Sequence, residues 1–322
     1  MKSLAPFAGL VIALVAGTAA LAQKPTNPAL LVPQDAPLLD YVAVANPLPL
    51  PEGTTMGASS SVAFDSKGHL YVLARGPLAI FEFDENAKFI RAFGEGYTRT
   101  HGLRIDKDGN IWLSDVGAHI VQKLSPKGDV LLTLGTKGEA GVWDEAAGSH
   151  KFNEPNDIII AANGDVFVSQ GHSPGAGKGD PRVLKFDKNG KFIKTWGGKG
   201  TAAGQFDVAH GMALDPKGLL WVTDRENQRI QIFDQDGKYI REVKYAGVPC
   251  DLDFTKDGII MVNGFAGQVL KLDLDGKVLA VIGKPGNGVG EFGEAHFVAV
   301  SPKGEIYVAD SVNRLVQKFV KK

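Results

Sequence analysis

The chain has 322 residues, of which 44% are hydrophobic and 22% are charged, and its formal net charge is -1. This composition is typical of a globular protein and excludes a disordered chain, a collagen-like repeat and a coiled coil, while the balanced charge argues against a nucleic-acid partner. A single cysteine excludes an internal disulfide, so a packed core must supply the stability.

The first residues have the pattern of an export signal. Lys2 gives a positive start, residues 10–21 are apolar, and an A-x-A cleavage site ends at Ala22. The apolar run is shorter than the roughly 20 residues of a membrane span and ends in small residues. We therefore predict a signal peptide over 1–22, no membrane span, a periplasmic or secreted mature protein, and a flexible lead-in over 23–37.

From residue 38 onwards one sequence pattern recurs. The segments His101–Asp115 and His210–Asp224 align without gaps, each with an apolar strand, a turn that contains glycine and a second apolar strand. The runs alternate apolar and polar residues between Gly, Asp, Asn and Pro, which predicts antiparallel strands joined by hairpins. The same frame fits four further segments, which begin at Ser60, Asn156, Cys250 and His296.

Six repeats that start 40 to 55 residues apart each have room for four short strands, the size of one propeller blade. The last repeat stops at Lys322 after its third strand, and Leu38–Leu48 precedes the first repeat. We therefore predict an all-β fold, a six-bladed β-propeller over 38–322, in which this N-terminal strand closes the ring and leaves no bare sheet edge. We also expect a monomer.

The first position of the six repeats carries Ser, His, Asn, His, Cys and His in chain order. The first strand of each blade lines the central channel, so His101, His210 and His296 are expected at one height around the axis. Three imidazoles that leave a fourth position open are the ligand set of a catalytic zinc. The alternative is a structural ring in which each histidine hydrogen-bonds a neighbouring blade.

Two arginines follow the second strands of their blades, where side chains reach the channel mouth. Arg75 and Arg225 beside a cationic metal would repel it unless an anion lies between them, so the pair indicates a carboxylate-bearing substrate. Alternatively, Arg225 braces its blade through Asp224 or Glu226. We interpret Cys250 as a small apolar neighbour, because a fourth ligand would close the open metal position.

Several motifs carry a resemblance to a known family: Thr100–Asp106, Trp112–His119, Phe152–Asp157, Gly204–His210 and Asp224–Gln231. The repeat looks like the NHL type, and the chain from about Ser60 to Phe319 resembles the propeller of peptidyl-α-hydroxyglycine α-amidating lyase (peptidylamidoglycolate lyase). The resemblance implies zinc on His101, His210 and His296. It also implies catalytic roles for Arg75 and Arg225, and it aligns His172 with the family's catalytic tyrosine.

The resemblance further implies a structural calcium held by the main-chain oxygens of Val62 and Leu103 and by an aspartate directly after the third histidine. This chain has Phe297 at that position. Since a hard cation would be left with neutral ligands, the sequence argues against calcium. Glu294 stands where the family has a methionine, and the family's disulfides are absent.

The activity implied by the resemblance is that of an exported, metal-dependent carbon-nitrogen lyase. It would cleave an N-acyl-α-hydroxyglycine, a carbinolamide, to a primary amide and glyoxylate, with His172 moving the proton. The expected partner is a small carboxylate-bearing or peptide-like substrate. Two alternatives stay open: a non-catalytic NHL-type propeller that binds a protein or glycan, and a lactonase, which usually requires acidic calcium ligands in the channel.

Overall fold

The computed structural model describes residues 27–173 and 179–322, so the predicted signal peptide lies outside the described residues. A short 3-10 turn, Pro28–Leu31, is followed by strands that form six four-stranded antiparallel sheets. These sheets are the blades of a propeller, and in each of them the strand order runs from the channel outward. The predicted all-β, six-bladed architecture is confirmed.

The strands of the first three blades follow one another along the chain. Blade 1 consists of β2 (Ala58–Phe64), β3 (Leu70–Arg75), β4 (Ile80–Phe83) and β5 (Phe89–Phe93). Blade 2 consists of β6 (Thr100–Ile105), β7 (Ile111–Asp115), β8 (Ile120–Leu124) and β9 (Val130–Leu134). A small hairpin follows, β10 (Trp143–Asp144) and β11 (Ser149–His150). Blade 3 consists of β12 (Pro155–Ile160), β13 (Val166–Gln170), β14 (Arg182–Phe186) and β15 (Phe192–Gly197).

The last three blades differ in how the ring is completed. Blade 4 consists of β16 (Ala209–Leu214), β17 (Leu220–Asp224), β18 (Arg229–Phe233) and β19 (Tyr239–Lys244). Blade 5 consists of β20 (Pro249–Thr255), β21 (Gly258–Asn263), β22 (Gln268–Leu272) and β23 (Val278–Ile282). A parallel pair follows, β24 (Lys284–Pro285) and β25 (Glu291–Phe292). Blade 6 consists of β26 (Ala295–Val300), β27 (Ile306–Asp310), β28 (Leu315–Lys321) and the N-terminal β1 (Tyr41–Val44).

The N-terminal strand closes the ring as the sequence predicts. β1 pairs antiparallel with β28, with Tyr41 opposite Lys321 and Val44 opposite Lys318. Blade 6 is therefore built from both ends of the described chain. This pairing covers the edge of β28, which would otherwise present unpaired main-chain groups to solvent.

The segment before β1 contacts the propeller more closely than expected of a flexible lead-in. Leu30 is buried in the core between blades 5 and 6. Gln34 and Gln268 exchange two hydrogen bonds between main chain and side chain, at 2.8 and 3.0 Å. The part of the lead-in that the structure describes is held by apolar burial and by these bonds, a difference from the sequence-based expectation.

In blades 1, 2 and 4 the turn between the first two strands uses an aspartate and a glycine together. In blade 2 the carboxylate of Asp106 accepts the main-chain N–H of Asn110 at 2.9 Å, and Gly109 adopts a φ of 79°, which favours glycine. The same carboxylate accepts the indole N–H of Trp112 at 3.1 Å. The recurrent Asp and Gly of the repeat therefore fix the turn and orient a core tryptophan.

The innermost strand of every blade has a β-bulge at or beside the first residue of its repeat. A bulge adds one residue to one strand of a pair and changes the direction of its side chain. The bulged positions are Ser60, His101, Asn156, His210, Cys250 and His296. Three of the six bulges therefore present a histidine to the channel at equivalent positions in alternate blades.

Candidate functional site

The three histidines of the bulges form one buried cluster. The potential ligand atoms of His101, His210 and His296 all lie within 4.8 Å of one another, and each side chain is at most 2% exposed. The ring centroids are 4.7 to 4.9 Å apart. The arrangement around the axis predicted from the sequence is thus the one that the fold produces.

Main-chain hydrogen bonds from the neighbouring strands orient the rings of His101 and His210. The Nδ1 atom of His101 lies 2.9 Å from the main-chain oxygen of Asn156, and that of His210 lies 2.9 Å from the oxygen of Cys250. A carbonyl oxygen only accepts, so each Nδ1 carries the proton and donates. The lone pair of each neutral ring is therefore on Nε2, the nitrogen left free for a metal.

The glycine after each of these two histidines allows its strand to lie close to the main chain of the next blade. A Cβ atom on Gly102 would lie 2.6 Å from the oxygen of Asn156, and one on Gly211 would lie 2.5 Å from the oxygen of Cys250. Those are the oxygens that the histidine rings contact. The His-Gly pair of the repeat therefore fixes the distance between adjacent blades and the orientation of the ligand.

The histidine cluster contains buried nitrogen atoms without partners. Within residues 27–173 and 179–322, Nε2 of His101 and Nε2 of His210 are buried and have no hydrogen-bond partner. Leaving buried polar atoms unsatisfied is costly unless another group satisfies them. Together with the buried Nε2 positions, the three imidazoles fit one bound metal ion better than they fit a purely structural ring.

Burial keeps the imidazoles neutral. It lowers the pKa of His101 and His210 well below the ordinary value, and the positive charges that neighbouring rings and arginines would carry lower it further. Burial followed by the charge of Arg75 lowers the pKa of His296 in the same way. Neutral imidazole is the form that binds a metal, so the cluster is prepared for ligation near neutral pH.

The calcium site implied by the resemblance does not fit this chain. The Leu103 oxygen, one of its two expected main-chain ligands, accepts the guanidinium Nη1 of the adjacent Arg104 at 3.0 Å. Phe297, in place of the aspartate, is fully buried, and the Arg104 guanidinium lies 5.5 Å from its ring centroid. A fixed positive charge and an aromatic ring exclude a hard divalent cation from this position.

Arg104 itself joins several blades below the histidines. Its Nη2 atom donates to Asp157 at 2.6 Å and to Asp251 at 3.1 Å, and both carboxylates are fully buried. It also reaches the main-chain oxygen of Met212 at 3.1 Å. One guanidinium from blade 2 therefore holds strands of blades 3, 4 and 5 around the axis.

His172 lies beside the histidine cluster, as the alignment with the family tyrosine implies. Its ring centroid is 4.8 Å from that of His101 and 5.8 Å from that of His210. The next residue, Ser173, is fixed because its N–H and hydroxyl donate to the carboxylate of Glu154 at 2.7 and 2.9 Å. Burial and the charge of Arg225 lower the pKa of His172 well below its ordinary value, so it is a neutral base.

The two arginines singled out from the sequence have different surroundings. Arg225 is nearly buried and forms an ion pair with Glu226 at 2.7 Å, with Glu294 3.9 Å from its Nη1 atom. The bracing alternative therefore holds for Arg225. Arg75 donates from Nε to the main-chain oxygen of Thr100 at 3.1 Å, and the described residues give it no carboxylate within ion-pair distance.

Cys250 and Glu294 lie next to the cluster without joining it. The Cys250 thiol is fully buried in the core of blades 5 and 6, and burial raises its pKa well above the ordinary value. It is outside the group of potential metal ligands among the described residues, in agreement with the interpretation as a small apolar neighbour. The Glu294 carboxylate accepts a short hydrogen bond from the hydroxyl of Ser311.

Sequence analysis missed Arg99, which precedes the Thr-His-Gly motif of blade 2. Its guanidinium Nε is buried without a hydrogen-bond partner within the described ranges. The only feature of the sequence that could have pointed to Arg99 is its position two residues before His101. That position alone does not distinguish Arg99 from the other arginines of the chain.

A family model locates the repeat in two places. Residues 206–233, which include β16 to β18, and residues 292–319, which include β26, β27 and most of β28, match the NHL repeat. The chain carries NHL repeats. This match and the relatives described next confirm the resemblance identified from the sequence.

Curated relatives include both amidating enzymes and a protein named only for its repeats. Rat peptidylglycine alpha-amidating monooxygenase is 31% identical over 310 residues, which are 82% of this chain and 30% of the rat protein. Drosophila melanogaster peptidyl-alpha-hydroxyglycine alpha-amidating lyase 1 is 30% identical, over 68% of this chain and 44% of the fly protein. Human NHL repeat-containing protein 3 is 29% identical, over 82% of this chain and 80% of the human protein. The chain thus spans less than half the length of these two amidating relatives.

Solved structures share the fold at low sequence identity. A streptogramin B lyase superposes with a TM-score of 0.59 and 14% identity, over 88% of this chain and 98% of that chain. A gluconolactonase from Xanthomonas campestris superposes with a TM-score of 0.61 and 15% identity, over 82% of this chain and 86% of that chain. At these identities the similarity shows the propeller fold alone. In the described part of the chain, no helix has the length and apolar character needed to cross a membrane.

Proposed function

We propose that this protein is an exported zinc-dependent lyase that cleaves an N-acyl-α-hydroxyglycine to a primary amide and glyoxylate. The observation that carries the proposal is the buried cluster of three neutral histidines, two of which have unpartnered Nε2 atoms, next to His172 and Arg75. Relatives that are named as amidating lyases support a lyase-like function. The pattern of residues 1–22 supports export.

The residues that would hold the zinc are His101, His210 and His296. Three imidazole nitrogens suit zinc better than magnesium or calcium, which prefer oxygen ligands. When bound, the ion would supply a positive charge that lowers the pKa of the substrate hydroxyl or of a water molecule. The carbonyl oxygens that accept from the imidazole Nδ1 atoms keep the rings in the ligating tautomer.

The chain's own residues account for substrate binding and proton transfer. Arg75, whose guanidinium has no carboxylate partner in the described parts of the chain, binds the substrate carboxylate. The neutral His172 accepts the proton of the carbinol hydroxyl as the carbonyl of glyoxylate forms. The C–N bond breaks, its electron pair goes to nitrogen, and His172 returns the proton to that nitrogen. Arg225, braced by Glu226, contributes positive charge at the mouth and keeps His172 unprotonated.

The direct test is release of glyoxylate from an N-acyl-α-hydroxyglycine by the purified, zinc-loaded protein. The matched control is the double variant His101→Ala plus His210→Ala, which retains His172 and all the arginines. We expect glyoxylate release with the parent protein and none above background with the control. Absence of glyoxylate across several acyl groups would refute the lyase and favour a non-catalytic propeller that binds a protein or glycan.

A further inference from the structure

The channel mouth contains three arginines, and in the part of the chain that the structure describes only Arg225 has a carboxylate within ion-pair distance. Arg225 forms an ion pair with Glu226 and lies near Glu294. Within residues 27–173 and 179–322, Arg75 and Arg99 have no carboxylate within ion-pair distance. Burial and, after it, the positive charge of Arg99 together lower the pKa of the Arg75 guanidinium to about 10, against the opposing charges of Glu294 and Asp115. The Arg75 and Arg99 guanidinium groups are thus close enough to repel each other.

The main chain around Arg99 is rigidly held. The N–H of Arg99 donates to the carboxylate of Asp115 at 2.8 Å, and its carbonyl oxygen accepts from the N–H of Val116 at 3.0 Å. The next residue, Thr100, provides the oxygen that accepts from Nε of Arg75. Arg99 therefore belongs to the short segment that leads to His101, and Arg75 is hydrogen-bonded to that segment.

The nearby carboxylates accept hydrogen bonds from donors other than the Arg99 guanidinium, although their negative charges still act on it. The Asp115 carboxylate accepts four main-chain N–H groups, including that of Arg99 itself, at 2.6 to 3.0 Å. The Glu154 carboxylate accepts both donors of Ser173, and that of Glu294 accepts the hydroxyl of Ser311. The buried Nε of Arg99 is left without a partner. An anion from outside the chain would satisfy this buried cationic donor.

We propose that Arg99 binds the substrate carboxylate together with Arg75 and is a specificity-determining residue for anionic ligands. Arg75 approaches from blade 1 and Arg99 from the entry to β6, so two guanidinium groups provide donors for the two oxygens of one carboxylate. Arg225 stays paired with Glu226 and acts on the bound carboxylate only through its positive charge, without a direct hydrogen bond. The proposal rests on the proposed function for the identity of the substrate, but the carboxylate preference is a property of binding that can be measured without turnover.

The experiment uses ligands that lack the carbinol hydroxyl and are not cleaved. The zinc-loaded mature protein is titrated calorimetrically with N-acetylglycine, which carries the carboxylate, and with N-acetylglycinamide, which does not. We expect the parent protein to bind N-acetylglycine at least about tenfold more tightly, the scale of a charge-assisted hydrogen bond. Arg99→Gln should lose most of this preference without altering the affinity for N-acetylglycinamide. Arg314→Gln, which removes an exposed arginine on blade 6, is the matched control and should retain the preference.

Melting temperature and zinc content verify that each variant is folded and loaded. Should Arg99→Gln fail to fold, Arg99→Lys decides, because a lysine keeps the charge but loses the planar fork and should still weaken N-acetylglycine binding selectively. A full carboxylate preference in the folded Arg99 variant, or no preference in the parent protein, would overturn the proposal. A protein that releases no glyoxylate but loses its carboxylate preference in Arg99→Gln would refute the lyase and retain the carboxylate site.

Discussion

His296 Nδ1 donates a hydrogen bond to the main-chain oxygen of Ser60 at 2.7 Å, across the contact between the last blade and the first. It is the third member of a set that also joins blade 2 to blade 3 and blade 4 to blade 5. Each bond orients an imidazole and ties two neighbouring blades. The same three side chains therefore form the candidate metal site and tie neighbouring blades together.

We predict about one zinc ion per chain, because the cluster offers three neutral nitrogen ligands and one open position. His101→Ala plus His210→Ala should abolish binding, and elemental analysis of protein purified without a histidine tag measures it. Cys250→Ser should leave the zinc content unchanged, since the thiol is outside the ligand group. Full zinc occupancy in the double histidine variant would show that the metal lies elsewhere.

Arg104 should be essential for the stability of the fold, whereas bound calcium should not be needed for it. Arg104→Gln leaves the buried Asp157 and Asp251 without their cation, a loss of about 3 to 5 kcal/mol in the free energy of unfolding. Urea unfolding measures this loss, with Arg314→Gln as the control for removal of one positive charge. A calcium-selective chelator should leave the melting temperature of the parent protein unchanged, and a chelator-induced decrease would contradict the assignment.

The destabilisation caused by Arg104→Gln should grow as the pH rises. Burial raises the pKa of both Asp157 and Asp251 above the ordinary value against the opposing charge of Arg104, so loss of the guanidinium raises both pKa values further. The folded state then binds more protons than the unfolded state, so stability is present at low pH and is lost as the pH rises through the folded pKa values. The test is to measure the unfolding free energies of the parent protein and of Arg104→Gln at pH 6 and at pH 8. If the parent and the variant differ by the same amount at both pH values, the prediction is wrong.

His172→Ala should lower kcat by about 100-fold or more while changing KM little, because the residue moves a proton and does not bind the carboxylate. His172→Tyr should retain activity. Since burial lowers the pKa of His172, the rising limb of kcat/KM should lie below pH 6.5 in the parent enzyme and shift upward in the tyrosine variant. Parental activity in His172→Ala would remove the residue from the mechanism and leave the metal site intact.

Truncation of the N terminus should act in two steps. Deletion of residues 23–35 removes the buried Leu30, whose burial contributes about 1.5 to 3 kcal/mol, and should lower the melting temperature moderately. Deletion through residue 46 also removes β1, exposes the edge of β28 and should cause a larger decrease or aggregation. Equal melting temperatures of the two truncated proteins would argue against closure of the ring by β1.

The sequence predicted the fold because a propeller is built from local repeats. Most hairpins are encoded by strand alternation and by a turn that contains glycine within a few residues, so the number of blades and the closing strand follow from counting. The positions of His101, His210 and His296 follow from the same register. Equivalent positions of a cyclic repeat meet at the axis, and this holds whatever the side chains are.

Contacts between blades could not be predicted in this way, because they join residues that are far apart in the chain and outside the common pattern. Arg104 reaches Asp157 and Asp251, and Arg99 lies near carboxylates that accept hydrogen bonds from other main-chain and hydroxyl donors. Arg225 has a carboxylate partner and the Nε atom of Arg99 has none because of which groups the folded chain places within hydrogen-bond distance of each arginine. Charge compensation inside a channel is a property of the assembled ring, and only the tertiary structure determines it.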